Sequence, residues 1–266
     1  MSRPTVERTV TKRDGERCAE VTDALAVEEP CEIRIGNEAI AVTMRTPGHD
    51  AELAAGFLYT EGIVGDRDIA AISHCADDAT LQPGNVVVVR LAAGCTPRRD
   101  VRRHFFASSS CGICGKASIE AIHVDAPPVA GGPAVRATDL AAMMERLGGR
   151  QAVFALTGGL HAAALFDGSA EPLVVREDVG RHNAVDKVIG HAVLNELPLD
   201  GKVLLVSGRT SFEILQKALV ARIPVVAGVS AASSLAVEFA ARSNMTLVGF
   251  LRQAKMNIYA GAERIV

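Results

Sequence analysis

The C-terminal half of the chain alternates short apolar runs with longer segments of helical period. Residues 173–175, 202–206, 224–229 and 246–251 are apolar, largely β-branched, and read as strands. Between them, residues 180–196, 211–222 and 233–242 read as helices. Strands alternating with helices predict βαβ units and a mostly parallel sheet with helices on its faces.

The N-terminal half has a different rhythm. Residues 31–35 and 39–44 alternate around Gly36-Asn37, which predicts a β-hairpin. Thr46-Pro47-Gly48 breaks the strand. Residues 49–61 then place Leu53, Phe57 and Leu58 on one helical face, with Gly62 at the end. His49 and Glu52, one turn apart, read as a capping or surface pair. Residues 85–91 predict a strand, and residues 1–30 an edge strand or arm. Residues 116–124 look helical, and 125–133 read as a Pro/Gly-rich linker. A helix capped by Thr138 or Asp139 runs through Leu147. Residues 152–157 and 160–166, around Gly158-Gly159, predict a second hairpin in which His161 is an ordinary strand histidine. The expected class is α/β (α+β overall): a smaller β-rich domain over residues 1–107, then an α/β domain over 108–266.

Composition adds exclusions. Hydrophobic residues make up 48% and charged residues 22%, as in a soluble globular protein. The net charge of −3 gives no global attraction to nucleic acid, and 4% aromatics without Trp gives no platform for single strands. No apolar run approaches the roughly 20 residues that span a bilayer. The charged N-terminus has no signal-peptide core. Both point to a cytoplasmic protein with reduced thiols. The scattered Cys18, Cys31, Cys75 and Cys95 are expected to be buried small hydrophobes.

The ends of the C-terminal strands carry chemistry. Residues 176–183 (REDVGRHN) follow one strand, residues 207–211 (SGRTS) another, Ser230 a third and Arg252 the last. Hydroxyls and arginines beside helix N-termini suit phosphate binding. Capping by Asp178, Ser211 and Ser233 with incidental arginines is the simpler alternative at any one loop.

One motif stands apart: residues 108–116, SSSCGICGK, with Cys111 and Cys114 three residues apart. A basic run, residues 98–104, precedes it. Structural zinc needs four ligands, and there is no second Cys-x-x-Cys. The zinc-deaminase signature is also missing: Ser110 stands where Pro would precede Cys111, and no His-x-Glu lies upstream. No metal site is expected. Thioredoxin-type redox wants a small domain with the pair after its first strand. Ser110 and Ala117 stand where a P-loop would need Gly and Ser/Thr. Sulfur carriage fits better, because glycines flank Cys114 and a helix N-terminus with Lys116 would lower a thiol pKa.

Seven motifs in order resemble the formate dehydrogenase accessory sulfurtransferases, the FdhD/NarQ family. They are TPGHDAELAAGFLYTEGI (46–63), SSSCGICGK (108–116), TGGLHAAAL (157–165), REDVGRHNAVDKVIG (176–190), SGRTSFEILQKA (207–218), VSAASSLAVEFA (229–240) and LVGFLRQAKMNIY (247–259). The resemblance implies a cytidine deaminase-like three-layer second domain without zinc chemistry. It implies a sulfurtransferase that takes persulfide sulfur from a cysteine desulfurase. The sulfur passes to the molybdenum (or tungsten) bis(molybdopterin guanine dinucleotide) cofactor, which formate dehydrogenase then receives. By the same resemblance Cys111 is the persulfide carrier and Cys114 assists. Phe250, Leu251, Arg252, Gln253, Ala254 and Lys255 bind the cofactor, and the protein is a homodimer; the strand-end reading adds Arg209 as a further phosphate contact. The alternative is a non-catalytic cofactor chaperone using the same pocket.

Overall fold

The computed structural model describes residues 3–75, 84–98, 105–106, 124, 126–253 and 255–266. Strands β1 (Thr5–Asp14) and β2 (Arg17–Ala26) form a separate antiparallel ribbon, the predicted arm. Its distal part, from Thr11 to Glu20, is wholly exposed. Strands β3 (Glu29–Ile35) and β4 (Glu38–Arg45) form the predicted hairpin, and Gly36 supplies the left-handed turn residue at φ 58°. With β5 (Ile69–His74), β6 (Val86–Leu91) and β7 (Phe105–Phe106) they make a five-stranded sheet in the order β5-β6-β3-β4-β7.

Helix α1 (Asp50–Thr60) lies between this sheet and the rest of the protein. Ala54, Phe57 and Leu58 close the core formed by Cys31, Ile33, Ile40, Val87 and Val89. Its small residues face the C-terminal unit.

That unit is a six-stranded sheet in the order β13-β12-β11-β10-β8-β9. Its strands are β8 (His161–Phe166), β9 (Pro172–Asp178), β10 (Val203–Val206), β11 (Val225–Gly228), β12 (Thr246–Arg252) and β13 (Lys255–Ala260). β10, β11 and β12 are parallel; β8 and β13 run antiparallel to their neighbours. Strand alternation divides the core. Leu165, Leu204, Val206, Val226 and Leu247 pack on α4 (Arg181–Leu194), α5 (Phe212–Val220) and α6 (Ser234–Arg242). Phe166, Leu205, Val225 and Val248 pack on Leu140, Met143 and Leu147 of α2 (Ala137–Gly149). The result is a mixed α/β fold with helices on both faces of its larger sheet. No helix among the described residues is long and apolar enough to cross a membrane.

Several expectations fail. The larger sheet is not mostly parallel: β10–β11 and β11–β12 pair parallel, but β8–β10, β8–β9 and β12–β13 pair antiparallel. Neither Thr138 nor Asp139 caps α2, which starts after Arg136 with no side-chain cap. Residues 152–157 form a helix, α3 (Ala152–Thr157), not a strand. Gly158 ends it at φ 65°, and the Glu177 carboxylate accepts hydrogen bonds from the backbone N–H groups of Val153 (3.0 Å) and Phe154 (2.8 Å). A carboxylate 24 residues away in sequence satisfies the helix N-terminus. The cysteines also differ: Cys31 is buried, Cys75 and Cys95 are half-buried, and Cys18 is exposed on the arm.

Candidate functional site

Because β8 is antiparallel to both neighbours, the ends of β9, β10, β11 and β12 and the start of β8 share one edge. Crevices at carboxyl ends of strands are where open α/β sheets bind ligands. This edge gathers Asp178, Arg181, His182, His161, Ser207, Gly208, Arg209, Ser211 and Glu213.

Asp178 anchors it and is fully buried. Its Oδ1 accepts from the N–H of Gly180 (2.8 Å) and from Asn183 Nδ2 (2.9 Å). Its Oδ2 pairs with Lys187 Nζ at 2.7 Å and accepts from the N–H of Thr46 at 3.2 Å. Asp178 therefore fixes the turn into α4 but does not cap the helix, which has no side-chain cap, and a buried ammonium is its counter-ion. Lys187 also donates to the Thr46 carbonyl (2.9 Å), so the Thr46-Pro47-Gly48 break is tied to this edge.

His182 sits in the first turn of α4 and is buried. Its Nε2 lies 3.0 Å from Glu213 Oε2 and 3.3 Å from Ser211 Oγ, and Ser211 Oγ donates to Glu213 at 2.9 Å. Burial pushes the Glu213 carboxyl up, but the hydrogen bond and charge of His182, the Ser211 hydrogen bond and the charge of Arg181 outweigh it, holding the carboxyl at about 2. Ser211 thus bonds a side chain and makes no side-chain cap, whereas Ser233 caps α6 through the N–H of Ala236 at 3.3 Å. This triangle was not legible in the sequence as a set of contacts, because His182 and Glu213 lie on different helices.

The other expected positions distribute as follows. Cys111, Cys114 and Lys116 lie outside the described residues, as does Ala254. Phe250, Arg252, Gln253 and Lys255 are exposed where β12 turns into β13. Phe250 and Gln253 hold left-handed backbone at φ 50° and 53°. Arg252 and Lys255 are cross-strand partners. Leu251 is different: it is buried in the core on the α2 side, so its side chain packs and does not face ligand. Arg209 is exposed in the loop after β10. Among the basic run, Arg98 pairs with Asp68 at 3.0 Å, and the rest lies outside the described residues. Cys31 is inert: burial, then the charge of Asp50, pushes its thiol up to about 12.

His49 and Glu52 are 3.5 Å apart, but Glu52 is claimed by stronger partners. It meets Arg176 through Nε (2.5 Å) and Nη2 (2.7 Å), and His191 Nδ1 at 2.9 Å. The pair expected to be local therefore joins α1 to β9 and α4.

Fold and edge together define a three-sheet α/β protein whose strand-end loops gather imidazole, hydroxyl and guanidinium groups. The comparisons with known proteins make this specific. The chain belongs to the FdhD/NarQ family, whose model matches residues 26–266. A sulfur carrier protein FdhD of Mycolicibacterium paratuberculosis is 54% identical over 268 residues, covering 98% of each chain. One from Streptomyces coelicolor is 52% identical, covering 100% of this chain and 97% of its own. A crystal structure described as a formate dehydrogenase accessory protein from Desulfotalea psychrophila matches with a TM-score of 0.80 at 22% identity, covering 99% of this chain and 100% of its own.

Proposed function

We propose that the protein is a sulfur carrier for formate dehydrogenase, with Cys111 as the carrying thiol. The observation that carries this reading is the 54% identity, over 98% of both chains, to a protein named a sulfur carrier. The Cys111 thiolate attacks the terminal sulfur of a cysteine desulfurase persulfide. A new S–S bond forms at Cys111, the donor's S–S bond breaks, and the donor leaves as a thiolate. The outer sulfur is then handed to the molybdenum bis(molybdopterin guanine dinucleotide) cofactor, the substrate. The Cys114 thiolate attacks the Cys111 sulfur, a Cys111–Cys114 disulfide forms, the persulfide S–S bond breaks and the outer sulfur leaves as hydrosulfide. A dithiol reductant afterwards returns both cysteines to thiols. The exposed Arg252 and Lys255 at the β12–β13 turn, with Arg209, supply guanidinium and ammonium groups for the cofactor's phosphates. The working form is a homodimer in the cytoplasm.

Incubation with a cysteine desulfurase and cysteine, followed by mass spectrometry, tests the carrier. A gain of one sulfur atom on the peptide containing Cys111, absent in Cys111→Ala, is expected. An unmodified Cys111 in a protein that still activates formate dehydrogenase overturns the carrier role and leaves a cofactor chaperone. Arg252→Ala is expected to weaken cofactor binding, and unchanged affinity would remove the phosphate role.

A further inference from the structure

A cleft of about 540 Å³ opens at the far end of α5, between the residues that follow α1 and the linker before α2. Helix α5 begins next to Ser211 on the strand-end edge and runs for 9 residues. A helix of that length spans about 14 Å, so the cleft lies across the sheet from that edge. Its apolar walls are Val64, Val129, Leu219 and Val220, with Pro127 and Pro128.

These walls are fixed by hydrogen bonds. The N–H of Val129 donates to the Ser243 carbonyl at 3.1 Å, and Asn244 Nδ2 donates to the Val129 carbonyl at 2.8 Å. The N–H of Val124 donates to Gln216 Oε1 at 3.0 Å. The Tyr59 hydroxyl donates to the Val220 carbonyl at 3.4 Å, tying α1 to α5 beside the cleft. Pro127 and Pro128 have no N–H, so the linker wall presents carbonyls and ring carbons at these two positions.

Two guanidinium groups supply the donors. Arg98 is held in place: Nε donates to Asp68 Oδ2 at 3.0 Å and Nη2 to Oδ1 at 3.4 Å, which leaves Nη1 free of that pair. Gly65 lets it lie there, because an added Cβ would overlap Nη2. Arg222 is exposed and makes no ion pair among the described residues. It ends α5 in left-handed backbone at φ 60°, a place that favours glycine, and its N–H donates to the Leu219 carbonyl at 2.8 Å. An apolar centre bordered by tyrosine and arginine is the make-up of a protein-binding surface.

We propose that this cleft is the docking place of the sulfur donor: it receives an extended loop of the persulfide-bearing protein, whose apolar side chains pack between Val64, Val220 and the two prolines and whose carbonyl and carboxylate oxygens accept from Arg222 and Arg98. The chain leaves the cleft wall at Arg98 and rejoins it at Val124, and Cys111 lies 13 residues from each in sequence. Thirteen residues reach at most about 45 Å, so a donor seated here is within range of Cys111. The substrate reading uses the other edge, so donor and substrate do not compete for one place. A small anion would use the guanidinium groups and leave the apolar walls in water. The proposal rests on the sulfur-carrier reading and names where its donor sits.

Loading the full chain from two sulfur sources tests it: a cysteine desulfurase with cysteine, which must dock, and inorganic polysulfide, which need not. The initial rate of sulfur gain on the Cys111 peptide is read by mass spectrometry. Arg222→Glu is expected to slow loading by the desulfurase about tenfold and to leave loading by polysulfide unchanged. Adding Arg98→Gln should deepen the loss from the desulfurase alone. Arg222 is exposed, so its variant keeps the test clear of folding. If the variants load from the desulfurase as fast as the wild type, the cleft is overturned and the carrier reading stands. Equal slowing with both sources also overturns it, because the change then acts on Cys111 itself. A changed oligomeric mass with unchanged loading would give the cleft to a second copy of the chain and overturn the proposal. If the wild type takes sulfur from neither source, the carrier reading falls with it.

Discussion

Gly56 of α1 and Gly190 of α4 meet where the two helices cross with no room for a side chain on either. A Cβ on Gly56 would overlap the Asp186 carbonyl oxygen and lie 2.9 Å from the Gly190 nitrogen. A Cβ on Gly190 would overlap the Glu52 carbonyl oxygen and lie 2.7 Å from the Gly56 nitrogen. The helix that closes the N-terminal core is thus packed backbone to backbone on the helix that follows the Asp178 edge.

Gly56→Ala should therefore separate the two helices. Overpacking of this kind costs about 3 kcal/mol, and more where backbone is the obstacle. A lowered midpoint in urea denaturation is expected, with the same result for Gly190→Ala. Gly148→Ala, at a glycine with open space around it, serves as the control.

Beside this crossing lies a buried charge cluster. Lys217 Nζ meets both Asp186 oxygens (2.9 and 3.0 Å), Glu61 Oε1 (3.4 Å) and Thr60 Oγ1 (2.9 Å). Lys217→Met would leave the Asp186 carboxylate buried without this cation, costing about 3–5 kcal/mol. Burial already raises the Asp186 pKa, and Lys217 is the largest influence holding it down. Without the lysine the carboxyl must take up a proton to stay buried. The loss should consequently be larger at pH 8 than at pH 5, a trend that denaturation at the two pH values reads directly.

Glu213 responds in the opposite sense. Its folded-state pKa, about 2, lies below the ordinary value of 4.5. The stability it adds is present above pH 4.5 and is lost as pH falls toward 2. Glu213→Gln should lower the melting temperature at pH 7 and flatten its decline on the acid side. A wild-type acid limb retained in the variant would place the stabilising carboxylate elsewhere.

Much of the architecture was legible because it is local. Gly36-Asn37 fixes a hairpin, Gly62 follows a helix, and the βαβ rhythm after residue 172 is written in short apolar runs. What escaped depends on distant partners. Ala152–Thr157 has strand-like residues, and its helix is secured by Glu177 from another element. β13 was missed because the turn before it uses left-handed Phe250 and Gln253, where no glycine announces a reversal. The edge was legible as a set of loops, but its ion pairs were not: His182 and Glu213, 3.0 Å apart, lie on different helices. Leu251 looked like part of a ligand-binding run, yet strand alternation turns it into the core.

Asp178 is where fold and candidate site coincide. Its carboxylate neutralises Lys187, which is 1% exposed, and also accepts from Gly180, Asn183 and Thr46. Asp178→Asn keeps the shape and one acceptor but strands a buried ammonium, so a loss of about 3–5 kcal/mol is expected. Lys187→Met strands the carboxylate instead, which retains its three neutral donors, so it should cost less. The double variant, Asp178→Asn with Lys187→Met, has no buried charge left at this point and should recover part of the loss. A double-mutant cycle by urea denaturation measures the coupling.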